Sequence, residues 1–159
     1  MIVTINTDAS FHKEKRIGAY AFWAVSNEFK IQKSGVFKAK CKNSDDAEIK
    51  CILNALKVVL YAHTGITKVI INTDSLNAIA IITNDKKHLR KYRVNDYKNL
   101  RIHYHVLIHG QKNKCEIEFR HVKAHSNETT ARSYVNDWCD TQAKQRLWAY
   151  INSQKQVIA

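Results

Sequence analysis

The order of periodic segments predicts a mixed α/β fold: a five-stranded sheet, three strands antiparallel and then two parallel, flanked by helices. Three observations carry this expectation. The first 40 residues hold three alternating or β-branched runs in succession, the pattern of a meander of hairpins. The period then changes over residues 45–62 to that of an amphipathic helix. An apolar stretch at 67–73 follows, so a strand–helix–strand crossover joins the meander to a parallel neighbour.

Taken in order, residues 2–8 alternate and are rich in β-branched side chains, which marks a strand. Residues 17–26 (IGAYAFWAVS) and 29–40 (FKIQKSGVFKAK) are two more. Ser26-Asn27-Glu28 sits at the turn between them, and Gly35 is a candidate bulge. Ile49, Ile52, Leu53, Leu56, Val59 and Leu60 recur at helical spacing, and Gly65 closes that helix. Residues 67–73 (TKVIINT) form a buried strand, with a short helix starting at Ser75. A basic segment at 85–98 carries Lys86, Lys87, Arg90, Lys91, Arg93 and Lys98. A helix through Leu100, Val106 and Leu107 ends at Gly110, and Cys115, Ile117 and Phe119 alternate as a fifth strand. After a polar loop at 123–130, Val135, Cys139, Ala143, Leu147 and Tyr150 share one stripe of a last helix. The order is βββαβ(α)αβα, expected as a single domain over residues 1–159.

Composition narrows the class. With 26 Lys and Arg against 14 Asp and Glu, the net charge of +12 points to a polyanionic partner, nucleic acid ahead of a membrane surface. No run approaches the roughly 18 apolar residues of a membrane span, and no signal peptide opens the chain. A cytoplasmic, monomeric protein without a membrane partner is expected. Cys41, Cys51, Cys115 and Cys139 are scattered without a C-x-x-C pair, which argues for reduced thiols rather than a zinc site or a disulfide framework. His103, His105 and His109 lack a third ligand pattern and are expected as polar helix-face residues.

The tetrapeptide Ile-Asn-Thr-Asp occurs twice, at 5–8 and 71–74. In both copies the aspartate is expected to close its strand with the same parity, so parallel neighbours would set Asp8 beside Asp74. Two carboxylates that close are unfavourable unless a cation bridges them. Glu48 at the start of the long helix and Asp140 in the last one could complete a hard, oxygen-ligated site. Each also has a plainer role: Asp8 and Asp74 as strand-end turn residues, Asp74 also as a helix cap, Glu48 as the capping-box partner of Asp45, and Asp140 as the i,i+4 partner of Lys144.

Together these segments resemble the ribonuclease H family, in its small type 1 form, from residue 2 to about 146. The resemblance rests on Thr7-Asp8-Ala9-Ser10, Asp45-Asp46-Ala47-Glu48, Thr73-Asp74-Ser75, Val122-Lys123-Ala124-His125 and the stretch from Asn136 to Ala143 (NDWCDTQA), in the family's order. It implies a ribonuclease H-like fold and a metal site of Asp8, Glu48, Asp74 and Asp140. Asp137 is also available, but the N-x-x-x-D and D-x-x-A spacings favour Asp140. His125 takes the place of the family's loop histidine, in proton transfer or product release. Ser10, Ser44, Lys86, Lys87, Arg90, Lys91, Lys123 and Asn136 fall where the substrate would be held.

The activity so implied is hydrolysis of the RNA strand of RNA–DNA hybrids with two Mg²⁺ ions, or Mn²⁺ in their place, leaving 5′-phosphate and 3′-hydroxyl ends. Contacts to 2′-hydroxyl groups across the minor groove would distinguish the RNA strand. The sequence departs from the family at Ala9, where glycine is usual, and at the charged turn His12 to Arg16 in place of a glycine-rich one. Ser44-Asp45 replaces a pair that is often asparagine, and Leu76 a common glutamine. Two alternatives stay open: a weak or silent nucleic-acid-binding module on the same fold, and a related nuclease acting on DNA.

Overall fold

The computed structural model describes residues 1–89, 95–110, 114–123 and 131–158. Five strands, β1 (Ile2–His12), β2 (Ile17–Val25), β3 (Lys30–Val36), β4 (Lys68–Thr73) and β5 (Glu116–His121), form one sheet in the order β3-β2-β1-β4-β5. β1, β2 and β3 are antiparallel; β4 lies parallel to β1 and β5 parallel to β4. Among the described residues the main helices are α1 (Ser44–Ala62), α2 (Leu76–Thr83), α3 (Lys98–His109) and α4 (Ala131–Ile158). This is the mixed five-stranded sheet that the sequence predicts. No helix among the described residues is long and apolar enough to cross a membrane.

Strand parity sorts the two faces of the sheet. Val3 and Ile5 of β1, Phe22 and Ala24 of β2, and Val69 and Ile71 of β4 face α1, whose Ile49, Ile52, Leu56 and Val59 are fully buried against them. Leu107 of α3 and Ala78 and Ile81 of α2 extend the same core. On the opposite face α4 crosses β1, β2 and β3. There Cys139 and Ala143 pack on Ala21, and Leu147 and Ile151 on Ala19. The last residue of the buried stripe is Ile151 rather than Tyr150, which is exposed, because four residues past Leu147 stays closer to its face than three over this stretch.

Several local expectations are corrected. β1 does not stop at Asp8 but runs four residues further to His12, because its pairing with β2 continues through His12↔Ile17 after β4 has ended. Gly35 is not a bulge: the β2–β3 register is unbroken through Tyr20↔Gly35. Its missing Cβ instead makes room for the Tyr20 hydroxyl, 2.8 Å from where that atom would stand. α1 ends with His63 as its C-cap rather than at Gly65. The turn at Ser26 is present, with Ser26 Oγ accepting from the backbone N–H groups of Glu28 and Phe29 at 3.1 Å each. All four cysteines are free thiols and buried.

Candidate active site

The parallel register of β1 and β4 decides where the acids go. Asn6 pairs with Asn72 and Ile5 with Ile71, so the two Ile-Asn-Thr-Asp segments run side by side. Asp8 and Asp74, each two residues beyond the asparagines, come to the same level at the C-terminal edge of β4. α1 starts beside them: Asn43 caps it, its side chain accepting from Asp46 N at 2.9 Å. With that cap in place, Glu48 is not needed at the helix end, and it turns toward the sheet. Likewise Ser75, not Asp74, caps α2 through Ala78 N at 3.0 Å. Two of the plainer roles are thereby taken by neighbours.

Asp8, Glu48 and Asp74 each offer a carboxylate oxygen, and these oxygens lie within 4.8 Å of one another. Asp140, from α4, is close enough to Asp8 for its carboxylate to raise the Asp8 carboxyl. It also pairs with Lys144 Nζ at 2.9 Å, so the plain i,i+4 pair exists alongside the contact with Asp8. Burial, then the charges of Asp74 and Asp140, push the Asp8 carboxyl up from 3.8 to about 8. Burial, then the charges of Asp8 and Asp74, hold the Glu48 carboxyl well above its usual range. Glu48 Oε2 is buried and has no hydrogen-bond partner among the described residues. A buried acceptor facing other carboxylates is costly as it stands. The donor set of carboxylate oxygens is the kind that a hard divalent cation takes, so the residues fit such an ion.

Beneath the acids lies a layer of amides. Asn72 Nδ2 donates to Asn6 Oδ1 at 3.0 Å, and Asn6 Nδ2 donates to Asn136 Oδ1 of α4. Asn136 precedes Asp140 by four residues, so the amide contact fixes the helix one turn before the acid. Cys139 Sγ adds a contact to Asn6 O at 3.5 Å. Asn136→Ala is expected to leave the buried Asn6 amide without its acceptor and to cost about 1–3 kcal/mol. A lower urea midpoint with an unchanged slope would show this; an unchanged midpoint would refute it.

The remaining expected residues are placed unevenly. Ser10 is half-buried on β1 two residues past Asp8, and Ser44 is exposed at the first position of α1. Lys86 and Lys87 are exposed beyond the far end of α2, which carries the chain roughly 12 Å from Asp74. Val122 N donates to Thr73 O at 2.9 Å, so the exposed Lys123 leaves the sheet beside Asp74. Arg90, Lys91 and His125 lie outside the described residues. His121 was not expected: its Nε2 is 3.1 Å from Asp74 O. The signal was available, since extending the Ile117, Phe119 alternation by two residues puts His121 beside Thr73.

Comparison with known proteins agrees with this geometry. A family model described as RNase H matches residues 1–147. The RNase H1 of the halophilic archaeon Halobacterium salinarum superposes with a TM-score of 0.65 at 18% identity, over 92% of this chain and 98% of that one. The N-terminal RNase H domain of rv2228c from Mycobacterium tuberculosis does so with a TM-score of 0.66 at 12% identity, over 94% and 98%. At these identities the two structures speak for the fold alone. No curated protein sequence matches the chain.

Proposed function

We propose that this chain, which belongs to the ribonuclease H family, is an endoribonuclease that hydrolyses the RNA strand of RNA–DNA hybrids, with Mg²⁺ or Mn²⁺ as cofactor. The observation that carries the reading is the convergence of Asp8, Glu48 and Asp74 from two strands and a helix onto one point, with Asp140 against Asp8. Those four side chains would hold two divalent ions. Bound there, such ions supply the positive charge that makes a water nucleophilic and stabilises the leaving 3′ oxygen.

The chain's own residues do the positioning. Asp8, central to the group, would help to hold the ions. Glu48 Oε2, without a hydrogen-bond partner among the described residues, is kept free of competing donors. Asn136, through Asn6, holds α4 so that Asp140 stays at Asp8. His125 would move a proton or help the product leave, and Lys123 would touch a phosphate beside Asp74. Ser10 and Ser44 flank the acids on the substrate side, while Lys86, Lys87, Arg90 and Lys91 would meet the DNA strand with charge. Products would carry 5′-phosphate and 3′-hydroxyl ends.

The test is cleavage of a labelled RNA–DNA hybrid with Mg²⁺ or Mn²⁺, beside an Asp74→Asn control. Cleavage of the RNA strand by the wild type, lost in the control with hybrid binding retained, is the expected result. A wild type that binds hybrid and never cuts it would leave the silent binding module as the better reading.

A further inference from the structure

Along β1, Asn6, Asp8, Ser10 and His12 share the face covered by α4, since alternate strand residues point the same way. Along α4, Asn136, Asp140, Lys144 and Trp148 form one line at four-residue intervals. The two lines run together. Asn6 bonds Asn136, Asp8 feels the neighbouring carboxylate of Asp140, and the rings of His12 and Trp148 meet edge-on with centroids 6.0 Å apart. Two strand residues advance about 6.7 Å and four helix residues about 6 Å, so the pairs keep step. Read outward, the series is a buried amide pair, the carboxylate pair, and an aromatic pair at the surface, with Lys144 between the last two.

A single exposed tryptophan needs no explanation by itself. Trp148, 52% exposed, is different because it is braced by His12 and is continuous with the carboxylates through a lysine. The combination of a cation and an exposed ring leading away from the acids is the kit that single-stranded nucleic acid uses: charge for the backbone and a flat face for a base. Inside a duplex each base is already stacked on both neighbours, so an unpaired base is the one free to turn its face to a ring beyond the helix end. Trp148 stands about 12 Å past Asp140 along the helix, or roughly three to four nucleotide steps of 3.4 Å.

We propose that Trp148, braced by His12, is a stacking platform for an unpaired nucleotide of a single-stranded extension adjoining the hybrid, with Lys144 beside the intervening phosphate. The inference rests on the hybrid-cleaving reading and deepens it: the preferred substrate is a hybrid that ends in a single strand, cut a few nucleotides from that end.

Three labelled hybrids of equal paired length test it, one blunt, one with a 5′ and one with a 3′ single-stranded extension. Binding is followed by anisotropy in Ca²⁺, and cleavage in Mg²⁺. The wild type is expected to bind one extended hybrid about fivefold more tightly than the blunt one, the low end of what base stacking on an aromatic gives. Trp148→Ala should lose that advantage while keeping the kcat and KM of the blunt hybrid, and Trp148→Phe should retain most of it. No advantage for either extension, or an advantage that survives Trp148→Ala, overturns the platform even if every hybrid is cleaved. Conversely, an advantage lost in Trp148→Ala by a protein that cleaves none of the three upholds the platform and removes the nuclease reading.

Discussion

Asp8→Asn is expected to abolish hybrid cleavage, by at least about a thousand-fold, and at the same time to make the ion-free protein more stable. The two effects have one cause. Asp8 is buried and sits against Glu48, Asp74 and Asp140, an arrangement that serves a cation and strains the protein without one. The amide keeps the side chain's volume and removes its charge. Each 1 kcal/mol so recovered raises Tm by about 2–4 °C for a chain of this size, so a thermal scan in EDTA at pH 8 should show a rise of several degrees. A variant that still cleaves would remove Asp8 from the catalytic group. A variant that melts lower would show that the acids are not held against their repulsion.

The second large effect is a reversal of the usual acid sensitivity in the ion-free protein. Unfolded, Asp8 gives up its proton near 3.8; folded, it keeps it to about 8, chiefly because it is buried and then because of Asp74 and Asp140. Between those values the native state binds more protons than the unfolded state. The contribution of Asp8 to stability is therefore full below about 3.8 and is lost as pH rises through about 8. Glu48, raised by burial and then by Asp8 and Asp74, acts with the same sign. A divalent ion competes with those protons, so Mg²⁺ should stabilise more at pH 8 than at pH 5, by roughly 1 kcal/mol or more. Denaturation midpoints at both pH values, in EDTA and in Mg²⁺, give the comparison. A larger Mg²⁺ increment at pH 5 would contradict it.

The sheet was legible because its strands carry their burial in their spelling. The alternation in β1 and the apolar run in β4 depend on neighbouring residues alone, and the duplicated Ile-Asn-Thr-Asp gave the parity that sets Asp8 beside Asp74. What escaped depended on partners elsewhere in the chain. Nothing near Asp8 says that β1 continues to His12; that follows from β2 returning alongside it. Gly35 resembles a bulge until Tyr20 is placed across from it. Asn6 and Asn72 look like ordinary strand-end polar residues, and only the arrival of Asn136 from the far helix turns them into a buried amide chain. His121 sat one alternation beyond the segment recognised as a strand, and its relation to Asp74 needs the β4–β5 register. Charge on the basic segment was plain in the composition, while its geometry relative to the acids was not.

The stepwise match of β1 with α4 has a consequence for how this chain can change length. A substitution at one rung leaves the register of the others unchanged. A single residue inserted between Asn6 and Asp8 would exchange the two faces of everything beyond it, and one inserted between Asn136 and Asp140 would swing the rest of α4 by about 100°. Insertions and deletions are therefore expected in the turns, such as 13–16 between β1 and β2, where Arg16 already takes a left-handed conformation. Length variation among functional versions of this chain should collect there, leaving the spans 6–12 and 136–148 fixed in residue count however freely their side chains drift.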